Sequence, residues 1–224
     1  MKQETYHVLE QWMHRCMTDS AHDREHVYRV LYTALDIARE EEHVDMDVLI
    51  AACLLHDVGR QEQFADPGLC HAQVGARKAY DFLLENGFDE AFALRVRHCI
   101  LAHRFRKSNP PESLEAKILF DADKLDVTGA IGIARTLMYS GQHLRPLYSV
   151  TEAGVCDGAE DPEDTFFREY KFKLEKIYDR FYTKKGREEA MARKAAAVSY
   201  YENLLREVRR SYVGRSCLES LLEE

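Results

Sequence analysis

One short segment constrains the fold more than any other. VLIAACLLH, residues 48–56, is apolar on nearly every side of the helix that its pattern predicts. A helix that is apolar all round lies buried among other elements rather than at a surface. Asp45 or Asp47 can cap its start, and Gly59 can end it. We therefore predict a short central helix that the rest of the chain surrounds.

Helical periodicity continues along most of the chain. Apolar residues recur at three- and four-residue spacings, without a convincing strand alternation or an internal repeat. Besides the central helix, the predicted helices span residues 6–17, 24–40, 71–86, 89–103, 112–126, 129–139, 163–182 and 185–212. The polar segment RQEQFADPG, residues 60–68, is predicted to be a loop, and residues 141–162 an irregular stretch too long for an ordinary connection. The fold class that follows is all-α.

The composition agrees with one globular domain of this kind. The chain has 224 residues, of which 46% are hydrophobic and 31% are charged. This length and this share of apolar residues can build one sizeable core. We therefore predict a single domain over residues 1–224.

Charge and cysteine usage limit the partners and the location. The net charge of −8 argues against sequence-independent nucleic-acid binding, which draws its affinity from cationic side chains, but leaves a small phosphorylated ligand open. The longest apolar run, residues 48–55, is far shorter than the roughly 18 residues of a membrane span, so no membrane partner is expected. The 6 cysteines form no C-x-x-C motif, which favours reduced thiols in the cytoplasm. Nothing in the sequence decides between a monomer and a homo-oligomer.

Four polar residues lie on, or at the end of, apolar helical faces. They are His26, His56, Asp57 and Asp123. An imidazole or a carboxylate in such a place is costly unless it has a partner, and each taken alone is explained at least as well as a hydrogen-bonded core residue. Taken together, they form a mixed nitrogen and oxygen donor set suited to Mn, Fe, Co, Ni or Zn. The joint pattern favours a metal site.

Three motifs in this order and spacing, HDREHVYRV, LLHDVGR and DADKLDVTGAIGIAR, resemble the HD-domain metal-dependent phosphohydrolase superfamily. YTKKGREEAMAR is similar to the C-terminal part of its bacterial single-domain YedJ/YpgQ-like branch. The resemblance implies an all-α bundle with an HD core at about residues 20–140 and C-terminal helices, residues 163–222, packing on it. It also implies a divalent metal, Mn or Mg first and Fe, Co, Ni or Zn as alternatives. The ligands it implies are His26, His56, Asp57 and Asp123.

The same resemblance implies a phosphohydrolase that acts on a small phosphorylated molecule, a nucleotide first. In this branch nucleoside triphosphates cleaved to monophosphate and pyrophosphate are favoured, with Asp57 as a catalytic residue. Arg60 stands where several nucleotidase and alarmone-hydrolase relatives have the acid of an H-D-x-x-E pattern, and no GYP tripeptide marks the cyclic-dinucleotide branch. Both of those activities are therefore disfavoured. A non-catalytic, metal-dependent ligand-sensing module is an open alternative, suggested by Arg60.

Two further histidines complicate the ligand set. In relatives with two metals, histidines from the two helices after the His-Asp pair complete a second site, and this chain offers His71 and His103 there, with His98 as a weaker substitute. A second metal, a phosphate contact and an ordinary helix-end position remain three alternatives. The same positions would also suit the di-iron oxygenases of the superfamily, which is the second alternative function.

Acidic residues crowd the last ligand. Asp126 lies three residues beyond Asp123, near the same helix face, whereas Asp121 points elsewhere. Asp126 is therefore a second catalytic candidate that can orient a metal-bound water, or it merely caps the helix end. Both explanations stay open at this point.

Cationic residues near the motifs are candidates for anion binding. Arg60 and Lys124 are the nearest, and we predict them as substrate-binding residues, although a solvated surface charge explains each of them as well. No feature of the sequence distinguishes Arg29 from an ordinary charged surface residue.

Overall fold

The structure is a computed structural model that describes residues 1–17, 24–104 and 109–222. The first two residues of the HDREHVYRV motif thus lie outside the described residues. Helices α1 to α11 span Gln3–Cys16, Arg24–Ala38, Met46–Leu55, Arg60–Ala65, His71–Glu85, Glu90–Ala102, Leu114–Leu125, Gly129–Gln142, Phe166–Phe172, Lys184–Ser211 and Gly214–Leu222. A 3-10 helix covers Leu174–Asp179, and the short strands β1 (Val150–Thr151) and β2 (Gly154–Val155) pair antiparallel. The predicted all-α fold class is confirmed.

The chain divides into two compact units. The first comprises Met1–Asp126 and Phe181–Glu188, and the second comprises Val127–Arg180 and Glu189–Glu224. Every residue that the sequence analysis selected for metal, substrate or catalysis lies in the first unit. The predicted arrangement as one domain stays a prediction.

Helix α3 forms the centre of the first unit, as predicted. It packs against α1, α2, α6 and α7, and all but three of its ten residues are buried. Asp45 caps its start, because its side chain accepts hydrogen bonds from the backbone N–H groups of Asp47 and Val48. The central helix therefore places its C-terminal end, with His56 and Asp57, inside the unit.

The segment after α3 corrects one prediction. Residues 60–68 are not a loop throughout, because α4 occupies the first six of them. None of the six residues of α4 is buried, so this short helix has no apolar face that the sequence pattern would show. Its place in the chain matters, because α4 carries Arg60 and Gln63 directly after the His-Asp pair.

Gly59 does not end α3 in the way the sequence suggested. Helix α3 ends at Leu55, and Gly59 precedes α4 with a φ of −98°, outside the left-handed region that a glycine C-cap uses. The glycine is needed for another reason. A Cβ at Gly59 would lie 2.4 Å from both the backbone nitrogen of Gly75 and the backbone oxygen of His71. The absent side chain lets α5 approach the His-Asp turn closely.

Asp121 faces away from Asp123, as predicted, and anchors the start of α10. Its carboxylate accepts hydrogen bonds from the backbone N–H groups of Tyr182 and Thr183 and from the Thr183 hydroxyl. The Thr183 hydroxyl oxygen in turn accepts from the N–H of Gly186. A Cβ at Gly186 would lie 2.6 Å from a carboxylate oxygen of Asp121, so a larger residue there would force this carboxylate to shift. This contact explains part of the YTKKGREEAMAR motif.

The second unit departs from the predicted helices. Residues 163–182 form α9 and the 3-10 helix instead of one long helix, with a non-helical residue, Lys173, between them. A buried spacing of three, as at Leu174 and Ile177, suits a 3-10 helix as well as an α-helix, so periodicity does not separate the two. Helix α11 lies within residues 163–222, where the resemblance implied C-terminal helices, although the periodicity alone ended the last predicted helix at residue 212. Residues 141–162 contain the end of α8 and the β1–β2 hairpin, so their predicted irregularity holds only in part.

The six cysteines are all free thiols in the structure, as predicted. Among the described helices, none combines the length and the apolar character needed to cross a lipid bilayer.

Candidate metal centre

Four imidazoles and two carboxylates converge in the first unit. Each of the six residues is at most 8% exposed. They are His26 on α2, His56 and Asp57 in the turn after α3, His71 at the start of α5, His103 at the end of α6, and Asp123 on α7. The fold thus brings together all six residues that the sequence analysis selected for metal binding. His98, the weaker substitute, is exposed.

His26, His56, Asp57 and Asp123 form the first cluster. The Nε2 atoms of His26 and His56 lie 3.3 Å apart, and Asp123 Oδ1 lies 3.5 Å from His26 Nε2. Asp57 Oδ2 lies 3.6 Å from His26 Nε2 and 3.7 Å from His56 Nε2. Ligand atoms that each bind one metal at about 2.0–2.2 Å are separated from their neighbours by about 3.0–3.5 Å. The first cluster therefore approaches the spacing of a metal coordination shell.

Asp57, His71 and His103 form the second cluster. The Nε2 atoms of His71 and His103 lie 3.3 Å apart, and Asp57 Oδ1 lies 3.7 Å from the first and 3.6 Å from the second. Asp57 consequently faces the two clusters with different oxygens. One carboxylate links both clusters.

A hydrogen-bond acceptor lies behind each imidazole. His26 Nδ1 faces Asp126 Oδ2, and His56 Nδ1 faces the Cys53 carbonyl. His71 Nδ1 faces Gln63 Oε1, and His103 Nδ1 faces the Ile100 carbonyl. Carbonyl, amide and carboxylate oxygens accept, so each Nδ1 donates and each neutral ring keeps a lone pair on Nε2. Two such lone pairs 3.3 Å apart repel each other unless a cation lies between them. This is the donor arrangement of metal-binding histidines.

The protonation states suit metal ligands at neutral pH. Burial lowers the pKa of His56 to about 4 and that of His71 to about 2, because the imidazolium would lose its hydration. Burial is the largest single effect on Asp57 and opposes its charge, but the guanidinium of Arg60 and the surrounding imidazoles together outweigh it, so the pKa of Asp57 lies well below its usual value. For Asp123 the ammonium group of Lys124 and the imidazoles together have the same effect on the pKa. Neutral imidazoles and ionised carboxylates are the forms that bind metal.

One oxygen of the first cluster is orphaned. Asp57 Oδ2 is buried and accepts no hydrogen bond from the residues that the structure describes. Its nearest imidazole nitrogen, at 3.6 Å, is too far away for a hydrogen bond. A buried carboxylate oxygen without a partner is costly, and a divalent cation at the first cluster removes this cost. The donor set therefore fits the metal that the sequence predicts.

The two predicted substrate-binding cations flank the clusters. Arg60 Nε donates to Asp57 Oδ1 at 2.9 Å, and Lys124 Nζ donates to Asp123 Oδ2 at 2.7 Å. Each uses the oxygen that is turned away from the first cluster. Their side chains are 21% and 17% exposed, so both are partly accessible to solvent. Arg60 also places a positive charge beside the second cluster, where it disfavours another cation.

Two residues of this site were missed by the sequence analysis. Arg29 forms an ion pair with Asp126, and Gln63 accepts the His71 Nδ1–H while its Nε2 donates to the Leu69 carbonyl. Gln63 lies in the segment that was predicted to be a loop. Arg29 lies one helical turn after His26, and this spacing could have indicated that both side chains lie on the same side of α2.

Asp126 lies behind the imidazole of His26. Its two carboxylate oxygens contact the His26 ring and the Arg29 guanidinium. The predicted contact of Asp126 with a metal-bound water stays a prediction, and the described hydrogen bonds favour a different role.

Comparison with known proteins gives consistent results. The family model of the HD domain matches residues 24–128, which contain all six clustered residues. The chain is 30% identical over 203 residues to the uncharacterized protein YpgQ of Bacillus subtilis (strain 168), and the alignment covers 88% of this chain and 90% of YpgQ.

Solved structures agree over most of the chain. The structure of Bacillus subtilis YpgQ has a TM-score of 0.71 at 26% identity, covering 92% of this chain and 96% of YpgQ. YpgQ in complex with ADP has a TM-score of 0.68 at 27% identity, with 89% and 97% covered. An HD-superfamily hydrolase from Bacillus thuringiensis has a TM-score of 0.68 at 28% identity, with 92% and 98% covered.

Proposed function

This chain belongs to the HD-domain family and resembles HD-superfamily hydrolases, and from this premise we propose that it is a divalent-metal-dependent phosphohydrolase. The observation that carries the proposal is the first cluster, where three buried donor residues, His26, His56 and Asp123, lie together with the orphaned Oδ2 of Asp57. The substrate is a small phosphorylated molecule, and a nucleoside triphosphate cleaved to monophosphate and pyrophosphate is favoured. The complex of YpgQ with ADP supports a nucleotide.

The first cluster would hold the metal through His26, His56, Asp57 and Asp123. We propose Mn²⁺ or Mg²⁺ first, and the mixed nitrogen and oxygen donors also suit Fe, Co, Ni or Zn. When bound, such a cation polarises a phosphoryl oxygen and lowers the pKa of a water molecule to near neutrality. Asp57 would act as a catalytic residue, since its carboxylate supplies both a ligand atom and negative charge at the reacting centre.

Arg60 and Lys124 would bind the phosphate groups of the substrate. Both are partly exposed donors at the edge of the clusters, and each already pairs with a carboxylate that a bound metal would share. A divalent cation draws charge from these carboxylates, so the two side chains become available to phosphate oxygens. The cationic surroundings thus complement a substrate with several negative charges.

The second cluster supports a second candidate function. Asp57, His71 and His103 could hold another metal ion, and with six ligands the site would suit a di-iron oxygenase. The guanidinium of Arg60 on Asp57 Oδ1 opposes a second cation there, which favours a phosphate contact for His71 and His103. We therefore place the hydrolase first. The free cysteines support a cytoplasmic location as part of this proposal.

Metal analysis and a substrate screen test the proposal. The purified protein is analysed for bound metal and incubated with nucleoside mono-, di- and triphosphates in the presence of Mn²⁺, Mg²⁺, Co²⁺ or Ni²⁺. We expect release of pyrophosphate or phosphate that is lost in Asp57→Ala and kept in Asp36→Ala, a control at an exposed carboxylate. Two irons per chain, oxygen consumption and no hydrolysis would support the oxygenase. Full metal occupancy without any turnover would support a ligand-sensing module.

A further inference from the structure

A bidentate ion pair supports one of the imidazoles from behind. Arg29 donates its Nε–H to Asp126 Oδ1 at 2.8 Å and a terminal N–H to Asp126 Oδ2 at 3.0 Å. Asp126 Oδ2 also accepts the Nδ1–H of His26 at 2.7 Å. The side chains of Asp126 and His26 are 5% and 1% exposed, so the hydrogen bond between them is shielded from water, whereas the side chain of Arg29 is 37% exposed. We propose that Asp126 and Arg29 are positioning residues that fix His26 as a metal ligand, an inference that rests on the proposed function.

The carboxylate determines which ring nitrogen of His26 carries the proton. Asp126 can only accept, so the proton lies on Nδ1 and the lone pair of Nε2 faces Asp57 and Asp123. An amide at position 126 could instead donate to Nδ1. The ring would then carry its proton on Nε2, where it blocks metal binding.

The guanidinium determines how the carboxylate is oriented. A fork of two parallel N–H donors on both carboxylate oxygens leaves Asp126 little freedom to rotate. Without Arg29, Asp126 could turn about its side-chain bonds and offer His26 a poorer acceptor. A lysine at position 29 keeps the charge but lacks the planar fork, so it replaces only part of this effect.

The same ion pair connects the two helices that carry ligands of the first cluster. Arg29 lies one turn after His26 on α2, and Asp126 follows the end of α7, three residues beyond Asp123. Helices α2 and α7 pack directly against each other. The fork therefore also fixes the distance between His26 and Asp123.

His26 differs from the other three imidazoles in its acceptor. His56 and His103 donate to backbone carbonyls and His71 donates to an amide oxygen, whereas His26 donates to a carboxylate. A charged acceptor makes the stronger hydrogen bond and raises the basicity of the ligating nitrogen. The Arg29–Asp126 ion pair therefore affects how His26 binds a metal, and not only how α2 packs against α7.

The test compares Arg29→Met, Arg29→Lys and Asp126→Asn with the wild type, and uses Arg39→Met as a control, because Arg39 is 82% exposed. Metal-free protein is titrated with Mn²⁺ and free Mn²⁺ is followed by electron paramagnetic resonance. We expect Asp126→Asn and Arg29→Met to weaken Mn²⁺ binding about 10- to 100-fold, Arg29→Lys to lose less, and Arg39→Met to match the wild type.

A second measurement separates positioning from simple stability. Long-range proton–nitrogen NMR spectra of metal-free protein with ¹⁵N-labelled histidine report which ring nitrogen of His26 is protonated. We expect Nδ1–H in the wild type and a shift towards Nε2–H in Asp126→Asn, while thermal unfolding confirms that the variants are folded. An unchanged His26 tautomer together with wild-type Mn²⁺ affinity in Asp126→Asn and Arg29→Met would overturn the inference. If the wild type binds no divalent metal, the proposed function fails, and an unchanged His26 tautomer in Asp126→Asn then overturns the inference as well.

Discussion

Arg60 donates to Oδ1 of Asp57 at 2.9 Å, while Oδ2 of the same carboxylate accepts no hydrogen bond within the described ranges. The two oxygens of one side chain thus lie in different electrostatic surroundings. A cation is favoured at Oδ2, in the first cluster, and opposed at Oδ1, where a guanidinium already occupies the space beside His71 and His103. We expect one strong metal position and one weak position.

Replacing Arg60 should change the number of metal ions bound. In Arg60→Met the positive charge beside the second cluster is gone, so we expect the metal content after dialysis against Mn²⁺ to rise from about one ion per chain towards two. Elemental analysis of the dialysed protein measures this directly. Arg77→Met is the matched control, since Arg77 is 86% exposed on α5. One ion per chain in both variants would show that Arg60 does not control the second cluster.

Lys124 should act on substrate binding more than on turnover. Its ammonium group lies 2.7 Å from Asp123 Oδ2, and in the proposed function it binds phosphate oxygens. A hydrogen bond between charged groups contributes about 1.5–3 kcal/mol, so Lys124→Met should raise KM about 10- to 100-fold. Steady-state kinetics with the substrate found in the screen check this, with Lys117→Met on the same helix as the control. An unchanged KM would remove Lys124 from the substrate site.

The metal-free protein should lose stability in acid from about pH 6.5 downwards. In the folded state burial holds the pKa of His56 at about 4 and that of His71 at about 2, below the ordinary value of 6.5. As the pH falls through 6.5, the unfolded chain takes up protons that the folded chain does not, so the free energy of unfolding decreases. Each of the two histidines lowers the free energy of unfolding by about 1.4 kcal/mol for each pH unit below 6.5, which lowers Tm by about 3–5 °C.

Thermal unfolding with a chelator from pH 8 to pH 4.5 measures this dependence. We expect a nearly constant Tm above pH 7 and a steady decrease below pH 6.5. His56→Asn should reduce the slope, because one of the two groups is absent. A Tm that stays constant or rises between pH 6.5 and pH 4.5 contradicts the assignment of neutral, buried imidazoles.

The sequence was sufficient for the central helix and for the residues that converge. An all-round apolar segment ending in His56 and Asp57 can lie only in the core, and the positions of His26 and Asp123 on apolar faces point them towards it. The convergence of His71 and His103 depended on the resemblance, because each stands at a helix end, where periodicity carries little information.

The sequence was insufficient where tertiary contacts decide the local structure. Helix α4 has no buried face, so no periodic pattern reveals it. The role of Gly59 is set by α5, which crosses it from another part of the chain, and not by its own backbone angles. The pairing of Arg29 with Asp126 joins residues 97 positions apart, which a single sequence does not show.

The close contact between Gly59 and Gly75 should be essential for the geometry of the centre. A Cβ at Gly59 meets backbone atoms of Gly75 and His71 at 2.4 Å, whereas a Cβ at Gly75 lies 3.2 Å from the nearest atom, the backbone nitrogen of Gly59. Gly59→Ala therefore pushes α5 away from the His-Asp turn, and His71 moves away from Asp57. Overpacking of this kind lowers the free energy of unfolding by about 1–3 kcal/mol, and Gly75→Ala should lower it less because a shift of a few tenths of an ångström relieves the contact.

Gly141→Ala is the control, since no atom lies within 4 Å of an added Cβ there. Denaturant unfolding together with Mn²⁺ titration should rank Gly59→Ala as the most damaging in both measurements, and equal behaviour of the three variants would show that the two segments can separate without cost.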